Sequence, residues 1–240
     1  MRITNSINHY EQRKIWDEEH RKPNVLRQMD SDKPSSGILK FWDWLKYKKL
    51  YGKLDGIEMG CGKGRNVIWL AKQGFKMTGF DFSKSAINEA ISRSKRDRAS
   101  SRTKFIIHDA VKPWPFKTDS FDIGIDCFTT TDIESIKGRK FATNELIRVI
   151  KPRGYILVYV MSVDDEYHKE MVRKSPANER NAFLNPISGK FEKTFERREI
   201  INLYKKYVKL VSEKRVKKIE VFFGKKYKCK HFWMIFQKTS

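Results

Sequence analysis

The residues best suited to chemistry lie in one short stretch that contains two acids and three closely spaced glycines. Glu58 stands two positions before the first glycine, and the glycines are Gly60, Gly62 and Gly64. The second acid, Asp81, ends the strand that is predicted next. Glycine lets the backbone adopt positive φ and approach a ligand closely, and the first N–H groups of a helix have no partner within it. The stretch therefore predicts a turn that holds a small ligand.

The spacing also restricts which ligand the turn can hold. A dinucleotide fingerprint has its third glycine five positions after the first, where this chain has Arg65. Glu58 would repel a nearby pyrophosphate, whereas a carboxylate suits a ligand with a positive group. Asp81 at the end of a strand suits the diol of a ribose. Together these residues predict a nucleoside that carries a cation and no phosphate, and S-adenosylmethionine fits that description.

The apolar pattern around the turn predicts the elements that position it. Residues 56–59 form a short buried strand, and residues 75–80 form a second one. Between them, apolar residues at helical spacing predict a helix that Gly74 ends; these residues are Val67, Ile68, Leu70 and Ala71. A strand, helix and strand within about 30 residues is the span of a βαβ unit.

The motif Glu58-x-Gly60-x-Gly62-x-Gly64, followed by Asp81, resembles the first two motifs of class I S-adenosylmethionine-dependent methyltransferases. The longer string GCGKGRNVIWLAKQGFKMTGFDFSKSAI is similar to the branch that includes tellurite-resistance and thiopurine-type small-molecule enzymes. The resemblance implies an α/β fold: a Rossmann-like three-layer sandwich with a seven-stranded, mostly parallel sheet and an antiparallel C-terminal hairpin. It also implies methyl transfer (EC 2.1.1.-), with S-adenosylhomocysteine as the product.

The resemblance further implies which residues meet the cofactor. They lie where the first four strands end: Glu58, Met59, Gly60, Cys61, Gly62, Gly64, Arg65, Asn66, Asp81, Phe82, Asp109, Ala110 and Asp126. In the family, the acid after the third strand receives the adenine amino group, and here that acid is Asp109. A carboxylate can accept a hydrogen bond from an exocyclic amino group. The alternative is that Asp109 caps the following turn.

Three more strands and a final helix complete the predicted fold. Residues 104–108, 121–127 and 155–161 are the third, fourth and fifth strands. Apolar residues at helical spacing predict the last helix: Ile200, Leu203, Tyr204, Tyr207 and Val208. Residues 217–223 and 231–237 then form the hairpin that ends the family's sheet.

Candidates for the chemical step are fewer. Asp126, at the end of the fourth strand, could orient the acceptor or act as a base, or it could instead pair with a lysine. Phe128 and Thr129 follow it and would line the space between the methyl group and the acceptor. His168 could titrate near neutrality, or it could be a lone histidine on the surface.

The chain is predicted to form a single methyltransferase domain over residues 1–240, with a helical N-terminal extension over residues 1–50. Tyr10 and Trp16 are candidates for a lid over the cofactor, or they pack an extra helix onto the core. Residues 162–194 show few helical signals and are too long for a plain connection. They predict a substrate-facing cap.

Composition limits the partners. The chain has 51 Lys or Arg against 29 Asp or Glu, and residues 189–230 contain fifteen basic residues and five glutamates. This surplus suggests RNA as a partner, or it reflects solvated helix faces covered with lysine. Three widely spaced cysteines predict neither disulfides nor a metal site. No apolar run approaches membrane-spanning length and no hydrophobic signal core is seen, so a cytoplasmic protein without a membrane partner is expected.

Three functions fit these features: a methyltransferase acting on a small molecule, an RNA or other nucleic-acid methyltransferase, and a non-catalytic partner protein that binds S-adenosylmethionine. The favoured one is the first, since no nucleic-acid-binding module is appended. Methyl transfer needs a base only if the acceptor holds a proton at neutral pH. The acceptor, its reacting atom and the oligomeric state are not indicated by the sequence.

Overall fold

Strands and helices alternate through residues 6–22, 30–222 and 224–239, which the computed structural model describes. The helices are α1 (His9–Arg21), α2 (Ser36–Tyr47), α3 (Arg65–Lys72), α4 (Lys84–Arg96), α5 (Thr129–Asp132), α6 (Ile136–Val149), α7 (Glu166–Lys174) and α8 (Arg197–Tyr204). The strands are β1 (Asp55–Met59), β2 (Lys76–Asp81), β3 (Thr103–Ile107), β4 (Phe121–Cys127), β5 (Ile150–Met161), β6 (Ala182–Leu184), β7 (Phe191–Lys193), β8 (Val208–Phe222) and β9 (Lys225–Lys238). Of the predicted extension over residues 1–50, residues 1–5 and 23–29 lie outside the described ranges.

The main sheet has seven strands in the order β3-β2-β1-β4-β5-β9-β8. The strands from β1 to β5 pair in parallel, whereas β9 runs antiparallel between β5 and β8. The predicted Rossmann-like fold with an antiparallel C-terminal hairpin is confirmed. Because the strand order reverses between β1 and β4, a crevice opens at the carboxyl ends of these two strands, where open α/β sheets bind ligands.

Short polar residues start the helices that surround this crevice. Asn8 caps α1 in a capping box with Glu11, and Ser35 caps α2. Ser83 caps α4 by accepting a hydrogen bond from the backbone of Ala86 at 3.1 Å. The serine caps of α2 and α4 place both helix starts beside the ends of β1 and β2.

Buried side chains cover both faces of the sheet, as a three-layer sandwich requires. Alternate residues of β5 point to opposite faces: Ile156 and Val158 pack into one core, and Leu157 and Tyr159 into the other. Helix α2 belongs to the second core, where Ile38, Phe41 and Leu45 are fully buried. The parallel strands are therefore held from both sides, and their carboxyl ends are fixed relative to one another.

The last helix ends earlier than its pattern predicts. Helix α8 stops at Tyr204, Tyr207 has φ +63°, and Val208 already begins β8. Val208 pairs with Lys238 in the hairpin, and Tyr207 is exposed. The apolar spacing of 200–208 is thus shared between a helix and a strand, because ladder hydrogen bonds to β9 replace the last helical turn.

Residues 162–194 contain a helix and a hairpin, whereas the sequence predicted few helical signals there. Asp165 caps α7 by accepting from the backbone N–H of His168 at 3.1 Å. Tyr167 and Met171 pack against Phe183 and the hairpin β8–β9. An acid before the helix and two basic residues in its last turn are the signals that could have predicted it.

The terminal hairpin is longer than predicted. Strands β8 and β9 pair from Val208 to Lys238, so residues 208–216 and 225–230 add to the two predicted strands. Phe223, the last residue of the first predicted strand, lies outside the described residues. Within the described ranges, every helix is too short or too polar to cross a bilayer.

Candidate active site

The three glycines form a tight turn between β1 and α3. Gly60, Gly62 and Gly64 have φ of +59°, +51° and +77°, values that L side chains rarely adopt. A Cβ atom at Gly60 would lie 2.4 Å from Thr129 Oγ1, and one at Gly64 would lie 2.8 Å from the ring of Phe105. The turn therefore needs glycine both for its dihedral angles and for its close packing.

Asp81 braces this turn from the end of β2. One carboxylate oxygen accepts the backbone N–H of Gly62 at 3.0 Å, and the other accepts that of Ser83 at 2.9 Å. The side chain is buried. A single carboxylate thus fixes the glycine turn relative to the start of α4.

Glu58 lies buried at the end of β1, directly before the turn. Its Oε1 accepts from Asn66 Nδ2 at 2.7 Å, and Asn66 Oδ1 in turn accepts from the backbone of Ser35 at 2.9 Å. Its Oε2 is buried and has no hydrogen-bond partner among the described residues. Burial raises the pKa of this carboxyl to about 8. An unsatisfied buried carboxylate oxygen is costly, and a positively charged or N–H-bearing ligand group would satisfy it.

Asp109 follows β3, and several donors surround its carboxylate. Its carboxylate accepts from His9 Nε2 at 2.7 Å and from the backbone of Val111 at 3.1 Å, and the Arg13 guanidinium lies 3.5 Å away. Burial alone would raise its pKa, but the hydrogen bond from His9, with the further donors and charges, lowers it below the ordinary value. Asp109 therefore caps the following turn and also faces helix α1.

Helix α1 lies across the turn and the strand ends. Asp17 accepts from the hydroxyls of Ser83 and Ser85 at 2.7 and 2.9 Å. The Arg13 guanidinium stands 5.4 Å from the ring centre of Phe82. His20 faces Gly62, since a Cβ atom added there would lie 3.3 Å from His20 Cε1. One helix thus covers the predicted ribose and adenine residues.

The two lid candidates on α1 have different surroundings. Tyr10 is 77% exposed, so it does not pack onto the core, and its role in a lid stays a prediction. Trp16 faces inward: the Lys190 ammonium lies 4.2 Å from its ring centre, and His20 stands beside it. Its Nε1 is buried without a hydrogen-bond partner in the described residues.

The other predicted cofactor residues differ in whether their side chain or their backbone takes part in the site. Met59 is fully buried in the core, and its carbonyl accepts from Thr129 Oγ1 at 2.8 Å. Cys61 is buried and donates its backbone N–H to Phe80. Arg65 begins α3, and Ala110 accepts from Trp114 Nε1 at 3.0 Å. For Met59 and Cys61, the backbone and not the side chain is what the turn presents.

Asp126 is fully buried at the end of β4. It accepts from Thr130 Oγ1 and from Tyr204 OH, both at 2.6 Å, and from the backbone of Thr130. Burial raises its pKa. Phe128, two residues later, has φ +69° and packs on Tyr159. These contacts make Asp126 a brace between β4, α5 and α8, and the sequence pattern gave no indication of its partner Tyr204.

The sequence left open that His168 is a lone histidine on the surface, and the structure shows that it is not. It is buried, with Nδ1 2.6 Å from Asp165 and Nε2 3.6 Å from Glu192. Burial would lower its pKa, but the two carboxylates raise it to about 9. His168 belongs to a group of ionisable residues, four buried and one (Asp132) half-buried, here named the charged cluster: Glu19, Asp132, His168, Lys190 and Glu192.

Contacts in the charged cluster are long for direct hydrogen bonds. Lys190 Nζ lies 3.4 Å from Glu192 and 3.6 Å from Glu19. Glu19 Oε2 has no hydrogen-bond partner among the described residues. Burial raises the pKa of Asp132 well above its usual range. Burial would also raise that of Glu192, but Lys190 and His168 lower it to about 2.

The charged cluster is continuous with the glycine turn. Trp16 links Lys190 to His20, and His20 adjoins Gly62. Gln12 ties the three surrounding segments together, since its amide donates to the carbonyls of Asp132 and Phe191 at 2.7 and 3.0 Å. Sequence reasoning missed Gln12, Glu19, Lys190 and Glu192, because polar residues in polar segments give no signal of burial.

Helix α1 should be held more loosely at high pH. His9 contacts Asp109 and Glu134, and these hydrogen bonds raise its pKa from 6.5 to about 9. A histidine whose pKa is higher in the folded than in the unfolded protein stabilises the fold fully at a pH below its unfolded-state pKa. This stabilisation is lost as the pH rises through the folded-state pKa of about 9. His9→Ala should therefore lower the free energy of unfolding at pH 6 by about 1 kcal/mol, since the pair is partly exposed, and lower the melting temperature accordingly. The difference from wild type should disappear near pH 10.

Melting curves of both proteins across this pH range provide the measurement. Tyr10→Ala is the matched control, since Tyr10 is the exposed neighbour. Its effect should not vary between pH 6 and 10. A His9→Ala effect that is the same at both pH values would contradict the role of this ion pair.

Comparisons with known proteins agree with this geometry. Residues 53–220 match a family model described as a methyltransferase domain. A demethylmenaquinone methyltransferase of Leptospira interrogans is 29% identical over 108 residues, which are 44% of this chain and 42% of that protein. The match thus spans less than half the length of the relative. The likeness to the tellurite-resistance and thiopurine-type branch stays a prediction.

Two solved structures show the same fold. A methyltransferase from Methanosarcina mazei, described as S-adenosylmethionine-dependent, superposes with a TM-score of 0.71 at 21% identity, over 81% of this chain and 97% of that one. The 1,6-didemethyltoxoflavin-N1-methyltransferase of Burkholderia thailandensis was solved with S-adenosylhomocysteine. It superposes with a TM-score of 0.69 at 14% identity, over 98% of this chain and 92% of that one. The chain belongs to the methyltransferase-domain family, and it shares its fold with these S-adenosylmethionine-dependent and S-adenosylhomocysteine-bound methyltransferases.

Proposed function

We propose that the protein methylates a small molecule whose polar group binds at the charged cluster. The observation that carries this proposal is the cluster itself: buried carboxylates and a buried lysine that adjoin the glycine turn, with Glu19 Oε2 lacking a hydrogen bond although it lies 3.6 Å from Lys190 Nζ. An N–H or O–H group on the acceptor would satisfy Glu19, and Lys190 would donate to an acceptor oxygen or nitrogen. Residues 162–194, which supply Lys190 and Glu192, would then act as the acceptor-facing cap.

The cofactor assignment follows from the groups around the turn. Asp81 would bind the ribose hydroxyls, and Glu58 Oε2 would receive the amino group of the methionine part. Asp109, with Phe82 beside it, would bind the adenine. His9 and Arg13 now contact Asp109, so this part of α1 would have to shift when the adenine binds.

The residues in contact with the acceptor would mainly position it. When bound, S-adenosylmethionine supplies the electrophilic methyl group. Trp16 and Lys190 would fix the acceptor and exclude water, and alignment of the two reactants can lower the barrier substantially. If the acceptor atom holds a proton, Glu19 would receive it as the new bond to carbon forms. Asp126 is not assigned this role, because it is fully buried and already hydrogen-bonded.

Enclosure favours a small acceptor over RNA. Helix α1 and the cap cover the charged cluster so that Glu19, Lys190 and Glu192 are all buried. A polynucleotide would reach them only by inserting a single base. The relative and the structure named above are, by their descriptions, a demethylmenaquinone and a 1,6-didemethyltoxoflavin methyltransferase; both names denote small molecules.

Incubation with methyl-labelled cofactor tests the proposal. The protein is given either the small-molecule fraction of a cell extract or total RNA, and the label is followed by chromatography and mass spectrometry. We expect label in one small molecule and none in RNA, and Glu19→Gln should reduce transfer while S-adenosylhomocysteine still binds. Label in a single RNA species, absent with Asp81→Ala, would overturn the small-molecule assignment.

A further inference from the structure

The terminal hairpin extends past the sheet on the side of the active site. Strand β9 pairs with β5 only as far as Met161 and His231. Residues 217–222 and 225–230, here named the ribbon, continue beyond the carboxyl end of β5 for roughly 20 Å. Since β5 is parallel to β4, the ribbon stands beside the edge of the sheet where the crevice opens.

The two faces of the ribbon differ in what covers them. Phe222, Tyr227 and Cys229 lie on the inner face, where Phe222 and Tyr227 pack against Tyr167 with ring centres 4.1 and 5.3 Å apart. On the outer face, Ile219 is 70% exposed and Val221 59% exposed. The inner face is therefore part of the core, and the outer face has no covering element.

Lysines surround the exposed apolar residues of the outer face. Cross-strand partners there are Lys217 with Lys230, Ile219 with Lys228, and Val221 with Lys226. Lysines directly opposite each other repel. The ribbon's ion pairs instead involve Lys218, which contacts Glu220, and Lys225, which contacts Glu170.

Three of the outer lysines lack an anionic partner among the described residues. Over the described ranges, no carboxylate lies within 4 Å of the ammonium of Lys217, Lys226 or Lys228. Within the part of the chain that the structure describes, no ion pair thus offsets the repulsion among these lysines. An anionic surface would relieve it.

We propose that the outer face of the ribbon binds the surface of an anionic lipid bilayer. Lysine ammonium groups are attracted to anionic headgroups, and Ile219 and Val221 between them would enter the interface as apolar residues do. Single-stranded nucleic acid fits less well, because such sites stack bases on aromatic or guanidinium groups. The ribbon residues described on this face carry neither.

Membrane binding by the ribbon would be a property separate from methyl transfer. The ribbon would place the open edge of the sheet against the membrane surface. It requires only a peripheral contact, which is compatible with the absence of a spanning helix in the described ranges. Neither the charge pattern nor the exposure of Ile219 and Val221 depends on the cofactor assignment.

Sedimentation with vesicles tests the inference. The full-length protein is mixed with phosphatidylcholine vesicles, either pure or containing one third phosphatidylglycerol. We expect binding only to the anionic vesicles. Each lysine near such a surface changes partitioning about fivefold, so Lys217→Glu with Lys228→Glu should weaken binding at least ~25-fold. Ile219→Asn with Val221→Asn should weaken it at unchanged net charge.

A matched control separates the ribbon from the general positive charge. Lys40→Glu with Lys117→Glu changes the net charge equally at exposed sites outside the ribbon and should retain most of the binding. Calorimetry with S-adenosylhomocysteine should give wild-type affinity for all variants, so failure of the ribbon inference is distinguishable from failure of the cofactor site. Equal binding to both vesicle types, or equal loss in the control, would overturn the proposal. So would ribbon variants that lose poly(U) binding at physiological salt but keep vesicle binding.

Discussion

Asp81→Ala should weaken binding of S-adenosylhomocysteine by roughly 30-fold or more, corresponding to about 2 kcal/mol. Asp81 is proposed to accept from the ribose hydroxyls. It also accepts from the backbone N–H groups of Gly62 and Ser83, so its removal leaves the turn unbraced. Calorimetry at a temperature where circular dichroism shows both proteins folded measures the affinity.

Two further variants test whether the loss of affinity is specific to the cofactor site. Asp43→Ala removes an exposed acid that pairs with Lys46 on α2, and it should bind as wild type does. Gly62→Val should abolish binding, because a β-branched residue disfavours φ +51° and its side chain would meet His20. An Asp81→Ala protein that binds within threefold of wild type would contradict the assignment of Asp81 to the cofactor.

Lys190→Met should strongly destabilise the protein. Lys190 is the buried cation between Glu19 and Glu192, and removing one partner of a buried ion pair costs about 3–5 kcal/mol because the remaining charge is uncompensated. For a chain of this size each kcal/mol lowers the melting temperature by about 2–4 °C. We therefore expect a fall of roughly 10 °C, measured by thermal unfolding at neutral pH.

A second substitution tests the physical reason for this loss. Glu192→Gln added to Lys190→Met removes one uncompensated carboxylate and should restore part of the stability. Lys169→Met, at an exposed position on α7, should change stability by less than about 0.5 kcal/mol. If Lys190→Met melts like Lys169→Met, the charged cluster does not hold α1 and the cap together as described.

Features that depend on residues close together in sequence could be predicted. The glycine turn is one, because positive φ at Gly60, Gly62 and Gly64 is a requirement of the backbone at those residues themselves. The ends of the strands at Asp81 and Cys127 are others. These local features were sufficient for the fold and for the cofactor, since the family's motif lies within one βαβ unit.

Features that join distant segments were decided only by the tertiary structure. Asp126 has Tyr204 as a partner, and Lys190 lies between Glu19 and Glu192, contacts that no periodicity encodes. Pairing with β9 likewise turned Val208 from a predicted helical residue into a strand residue. The sequence by itself thus determined the βαβ turn and its ligand class. The acceptor surroundings depended on long-range contacts, because the burial of a polar side chain is set by what packs against it and not by its neighbours in the chain.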